Sequence, residues 1–126
     1  MFEHPSVPAI QGTTATTHHK AADLPVPREL VPSEHAPSDG CEAGVTELGE
    51  FAGCEYGIWE MSTGVMHDTE AEELFVVLEG SATVEFLEPR SASIEIAPGS
   101  VVTFAAGTKT RWTVHSERLR KVYLAP

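Results

Sequence analysis

The sequence predicts an all-β domain, a small antiparallel sandwich or barrel, entered through an irregular N-terminal arm. Three observations carry this expectation. From about residue 44 onward, apolar residues recur in short runs separated by turn formers, and no amphipathic helix of any length interrupts them. Residues 1–40 hold most of the chain's nine prolines and the run TTATTHH, with no sustained period of 2 or 3.6. Short, evenly spaced strands belong to antiparallel sandwiches and barrels, whereas a proline-rich polar segment without periodicity reads as a lead-in. The chain is accordingly divided into an arm, 1–40, and a barrel domain, 41–126.

Taken in order, CEYGIWEM (54–61) alternates weakly and stops at STG, a turn signal. ELFVVLEG (73–80) is a strand stopped by Gly80. In SATVEFLE (81–88), Ala82, Val84 and Phe86 share one face, and Thr83, Glu85 and Leu87 the other. PRSA (89–92) turns the chain into SIEIAPGS, where Ile94 and Ile96 align. Ala97-Pro98-Gly99-Ser100 suits a type II turn, with proline presetting φ at the second position and glycine accepting φ > 0 at the third. VVTF (101–104), RWTVHS (111–116) and LRKVYL (119–124) complete the strands. In 74–78 both faces are apolar, since Leu74, Val76 and Leu78 alternate with Phe75 and Val77. A strand with one face in water would carry polar residues there. Its outer face is therefore expected to be covered by the arm or by a second copy of the chain, and a homodimer is the favoured reading.

The bulk properties narrow the function. At 126 residues, with 41% hydrophobic and 21% charged side chains, the chain is long enough and apolar enough for one core. A net charge of -11 repels phosphate backbones and anionic lipids, which argues against nucleic-acid and membrane partners. No stretch approaches the ~18 consecutive apolar residues of a membrane span. The start, MFEHPSVPAIQG, lacks the basic end and apolar core of a secretion signal, so a cytoplasmic protein is expected. Cys41 and Cys54 form no C-x-x-C pair and are expected to be reduced. His18 and His19 sit in the polar arm as solvated imidazoles, His115 is expected on the surface, and His4 and His35 carry no argument.

GIWEMSTG (57–64), EELFVVLEG (72–80), IEIAPGSVVTFAAGTKTRW (94–112) and RLRKVYL (118–124) together resemble the cupin superfamily. More narrowly, they resemble its single-domain ureidoglycine aminohydrolase-like and ethanolamine-utilisation-like members. The resemblance covers roughly residues 54 to 124. It implies a double-sheet jelly-roll barrel with a ligand site inside. It also implies a metal motif of the form G-x5-H-x-H-x3-E-x6-G, which falls here on Met61, His67, Thr69, Glu73 and Gly80. The second motif, G-x5-P-x-G-x2-H-x3-N, falls on Gly99, Ala105, Gly107, Thr110 and Val114. Only His67 and Glu73 of the four ligand positions match, so they are the candidate ligands for a divalent metal such as Mn, Zn, Fe or Ni. Three or more side chains normally hold such an ion. Asp68 and Glu70, on the approach to the strand, are the nearest substitutes, whereas Glu72 is expected to face away.

The resemblance aims Glu73, Phe75 and Val77 into the barrel. A buried carboxylate needs a partner, and Lys121, which shares a face with Tyr123, is the candidate. The expected ligand pocket comprises Trp59, Glu60, Met61, His67, Glu73, Phe75, Phe104, Thr110, Trp112, Lys121 and Tyr123. Alternation alone does not decide whether Trp59 or Glu60 faces inward. The function this supports is a metabolite-binding cupin with a degenerate metal site. Two other readings are a metal-dependent enzyme resembling ureidoglycine aminohydrolase, which releases ammonia from ureidoglycine at manganese, and a non-catalytic dimeric interaction module.

Overall fold

A computed structural model describes residues 16–126. Eight strands make one antiparallel sheet: β1 (Glu29–Leu30), β2 (Glu42–Phe51), β3 (Cys54–Thr69), β4 (Glu73–Glu79), β5 (Ala82–Glu88), β6 (Arg90–Ile96), β7 (Val101–Phe104) and β8 (Lys109–Ala125). A single turn of 3-10 helix, Ser33–His35, is the only helical element among the described residues. The hydrogen-bonded order is β1-β2-β3-β8-β4-β7, and β5 pairs with both β6 and β8. The all-β jelly-roll class read from the sequence is the one observed.

The pairing is organised by the last strand. The first half of β8 lies between β3 and β5, with Trp112 opposite Met66 and Val84. Its second half lies between β3 and β4, with Lys121 opposite Trp59 and Val77. The sheet thus folds over on itself along the β3–β8 ladder, and its concave side closes around Met61, Phe75, Val77, Val84, Phe104, Trp112 and Leu119, none more than 4% exposed. Four rings form the centre: Phe75 lies 5.5 Å from Phe104 and 5.8 Å from Trp112, and Trp59 lies 5.6 Å from Trp112. Tilted pairs at such spacings are the favoured aromatic geometry.

Two local expectations are corrected. STG (62–64) is not a turn, because β3 runs through it for 16 residues; RWTVHS and LRKVYL are likewise one 17-residue strand. At the same level both strands lose register, between Ser62 and Gly64 on β3 and across His115–Glu117 on β8. Such an irregularity bends a ladder and re-aims its side chains. Before it, the inward set on β3 is Gly57, Trp59 and Met61; after it, Met66 and Asp68. On β8 the inward residues change from Thr110, Trp112 and Val114 to Leu119, Lys121 and Tyr123. By contrast, the turn at 97–100 forms as read: Ser100 N–H donates to Ala97 C=O at 2.9 Å and Gly99 has φ +95°.

Residues 21–28 of the lead-in run along the convex face of the sheet, and β1 then follows the edge of β2 to the mouth of the barrel. Val31, at 8% exposure, joins the core, and its N–H donates to Cys41 C=O at 2.9 Å. The rest is fastened largely by its own backbone. Arg120, only 2% exposed, donates to Ala21 C=O at 3.0 Å, to Leu24 C=O, and to Glu60 at 2.9 Å. Thr46 donates to Pro25 C=O at 2.9 Å. Gly44 supplies the clearance: a Cβ there would meet Pro27 C=O at 2.0 Å. The segment covers the convex side near Ile58 and Arg120, but not Leu74 and Val101, which remain 38% and 64% exposed.

Two substitutions test this fastening. Arg120→Ala is expected to lower stability by about 3 kcal/mol, because it strips a buried guanidinium from Glu60 and two carbonyls. It should also expose residues 16–28 to protease; urea unfolding and limited proteolysis read the two effects. Gly44→Ala is expected to reproduce the protease sensitivity at a smaller stability cost, since it displaces the segment but leaves the Arg120–Glu60 ion pair in place.

Candidate functional site

Inside the barrel, between the second half of β8 and the strands facing it, lies a cavity of about 220 Å³ lined by Trp59, Trp112 and Tyr123, by Asp68, Glu70 and Glu73, and by Lys121, Val45 and Met66. It opens past Val45, Trp59, Met66 and Asp68 into a groove of about 440 Å³ whose other wall is the lead-in, from Pro27 to His35. Each polar side chain has a definite holder.

Lys121 and Glu73 meet at the floor. Nζ of Lys121 donates to Oε2 of Glu73 at 2.6 Å, with side-chain exposures of 5% and 15%. The ammonium also lies 4.1 Å from the centre of Phe75, 4.8 Å from Trp59 and 5.1 Å from Trp112. A cation stripped of water regains part of its solvation from a close carboxylate and from ring faces. The pairing expected from the sequence is therefore present, and three aromatic rings surround it.

Glu70 is held from the other side. Oε2 accepts from Thr110 Oγ1 at 2.6 Å and from Trp112 Nε1 at 2.9 Å. Its backbone N–H donates to Thr108 C=O, and its C=O accepts from Gly107 N–H, both at 2.7 Å. Burial pushes its carboxyl above the usual range, although the Thr110 and Trp112 hydrogen bonds pull the other way. Asp68 is also raised, first by burial, with His35 and the Thr69 N–H opposing; its Oδ1 accepts from that N–H at 2.9 Å and lies 3.7 Å from His35 Nδ1. Tyr123 donates to Glu55 at 2.8 Å, and burial followed by that carboxylate drives its phenol upward, so it stays a donor at neutral pH.

Against the expected pocket, Trp59, Glu73, Trp112, Lys121 and Tyr123 line the cavity. Met61, Phe75, Phe104 and Thr110 lie behind them in the core, Phe75 beneath the ammonium and Thr110 holding Glu70. Two candidates are misplaced. Glu60 faces the convex side, clustered with Arg28, Arg118 and Arg120 at 3.4, 3.4 and 2.9 Å. With Trp59 pointing in, strand alternation sends Glu60 out. His67 is exposed and borders an outer groove with Glu34 and Lys109. Its neighbours Met66 and Asp68 take the inward direction because of the irregularity at Ser62–Gly64. Asp68 and Glu70, considered only as substitutes from the sequence, enter the cavity, and Val45 and Met66 were not anticipated as walls.

The consequence for metal binding is direct. His67 and Glu73, the expected ligand pair, do not converge. Among the described residues no group of three His, Cys, Asp or Glu side chains is placed to hold an ion. Thr110, at a family ligand position, spends its hydroxyl on Glu70. The donor set does not fit the metal centre that the cupin resemblance implies, and no chemistry is routed through one.

Comparison with known proteins agrees with this architecture. Residues 48–123 match the EutQ-like cupin domain. No curated protein sequence matches the chain. Among solved structures, a Salmonella typhimurium protein described as ethanolamine utilization protein Q is similar at 20% identity and TM-score 0.55, over 66% of this chain and 68% of that one. The Clostridium difficile EutQ protein aligns at 16% identity and TM-score 0.56, over 68% of each. A Rhizobium leguminosarum protein of unknown function aligns at 21% identity and TM-score 0.58, over 67% of this chain and 81% of that one. At these identities the structural likenesses speak for the fold alone, whereas the domain match covers more than half of the sequence. The chain belongs to the EutQ-like cupin family.

Proposed function

We propose that this protein binds a small polar metabolite in the barrel cavity and that its own side chains, without a metal, make the site. The observation that supports this reading is the Lys121–Glu73 pair facing open space between Trp59 and Trp112. A pair that only stabilised the fold would be packed over; this one borders a cavity that leads outward. At about 220 Å³ the cavity is smaller than the ~300–1,000 Å³ of sites for drug-sized ligands, so the ligand is a compact molecule. Aromatic walls bury its carbon skeleton, while Asp68, Glu70, Glu73 and Lys121 supply the few polar contacts that fix orientation.

The same reading assigns the protein to the cytoplasm, where the thiols of Cys41 and Cys54 stay reduced. It also assigns a homodimer built on the convex face of β4 and β7, where Val76 and Val101 sit opposite one another beside exposed Leu74. Exposed apolar groups on adjacent strands are stabilised by burial against a second sheet.

A melting-temperature screen against small alcohols, polyols, amines, carbonyl compounds and carboxylates tests the site. A hit is expected to raise the wild-type melting temperature, and Trp59→Ala and Glu73→Gln are expected to abolish the rise. His67→Ala should leave both the rise and the stability within about 0.5 kcal/mol of wild type, as for a surface residue. Chelator treatment should leave the rise unchanged; loss of binding with metal removal, restored by Mn or Zn, would overturn the metal-free reading. For the dimer, Val101→Lys is expected to shift the sedimentation coefficient to that of a monomer with little loss of stability.

A further inference from the structure

Lys121 is unusually placed for an amine. Its side chain is 5% exposed, it has a carboxylate at 2.6 Å, and it forms part of the cavity lining. Around it stand the ring faces of Phe75, Trp59 and Trp112, all within 5.1 Å, which together with Glu73 hold the resting ammonium in place of water. An amine becomes a nucleophile when it is desolvated and has an adjacent base. Glu73 is that base. Two further carboxyl groups, Asp68 and Glu70, line the same cavity. An amine, a base in contact with it, and acids across a cavity are the parts required for condensation with a carbonyl.

The geometry points to Lys121 as the residue that captures a small aldehyde or ketone as a Schiff base in the barrel cavity. This rests on the cavity being the ligand site. In the first step the Lys121 ammonium passes a proton to Glu73, and the freed lone pair attacks the carbonyl carbon. The carbonyl π bond breaks, and the proton that the attacking nitrogen gives up passes to the oxygen, giving a neutral carbinolamine. The nitrogen lone pair then forms the C=N bond, the hydroxyl leaves as water with a proton from a cavity carboxyl, and the remaining N–H proton returns to a carboxylate. The net change is ammonium, carboxylate and carbonyl compound to imine, carboxylic acid and water, with no oxidant or reductant. Trp59, Val45 and Met66 form the apolar wall against which the carbonyl compound's alkyl group packs.

The chain contains three lysines, and the other two act as internal controls: Lys20 is exposed, and the Lys109 side chain is 56% exposed. The full-length protein is incubated with propionaldehyde, and separately with acetone, in the presence of sodium cyanoborohydride, and the reduced adducts are mapped by peptide mass spectrometry. Lys121 is expected to label at least ~10-fold faster than Lys109, and Glu73→Gln to slow that labelling at least ~10-fold through loss of the base. Lys121→Arg should abolish the fast phase while keeping the wild-type melting temperature, which separates loss of the amine from loss of the fold. Labelling of Lys121 no faster than that of Lys20 and Lys109 overturns the proposal. If that happens while 1-propanol or 1,2-propanediol still raises the melting temperature of wild type but not of Trp59→Ala, capture fails and the ligand cavity stands. If neither raises it, both fail.

Discussion

The structure depends on the β3–β8 ladder and on the place where both strands lose register. With 16 and 17 residues these strands are longer than the fold's other strands, and β8 pairs with β3, β4 and β5. Two straight strands of that length would present one face to the core and the other to water throughout. The break at Ser62–Gly64, opposite His115–Glu117, bends the ladder so that one pair of strands serves both halves of the barrel. It also exchanges the inward and outward sets on each strand. Trp112 and Lys121 are nine residues apart, an odd separation, yet both face the cavity. Without the exchange, Lys121 would stand on the convex face and Glu73 would be a buried carboxylate with no cation.

The cavity's chemistry follows from how its charges are balanced. Glu73 is matched by Lys121, and the ammonium is further stabilised by ring faces, which offsets part of the several kcal/mol that desolvating each ion costs. Burial makes Glu70 retain a proton more readily than in water, although its donors Thr110 and Trp112 oppose this. Asp68, at the cavity mouth, shares that tendency, moderated by His35. A close ion pair and two further carboxyl groups therefore share a small apolar enclosure. The same arrangement accounts for the poor fit to a metal, because the carboxylates are individually committed and do not converge on one point.

Much of this was legible in the sequence, for physical reasons that can be named. Strand segments and the type II turn at 97–100 depend on local alternation or on turn residues, which survive the folding of the sheet, whereas the Glu73–Lys121 pairing was reached through the cupin resemblance that aims Glu73 inward. The orientation of His67 and Glu60 was not legible. A strand's period of 2 carries a phase, and the phase resets wherever the ladder slips. STG carried a signal at that point, but it reads equally as a turn or as a bend within a continuing strand, and only the pairing partner decides. Arg120 was also opaque: an arginine beside Lys121 near the C-terminus reads as a surface charge. It is buried because a segment about a hundred residues away in sequence lies across it. Asp68 and Glu70 were within reach of the sequence, since both flank the matched motif, and the re-phasing of β3 turned Asp68 inward.

The fastening of the lead-in has one more consequence. Arg120 and Thr46 grip it through the carbonyls of Ala21, Leu24 and Pro25, and Gly44 yields to the carbonyl of Pro27. Every amino acid offers the same carbonyl, so the clasp over residues 21–27 is blind to side-chain identity, and side chains hold the strap at Arg28, Val31 and His35. The barrel must keep its arginine and its glycine, while the strap can drift in sequence between those anchors and still lie across the same groove. Because that strap also walls the cavity mouth from Pro27 to His35, the entrance can be re-lined for a different visitor without refolding the barrel behind it.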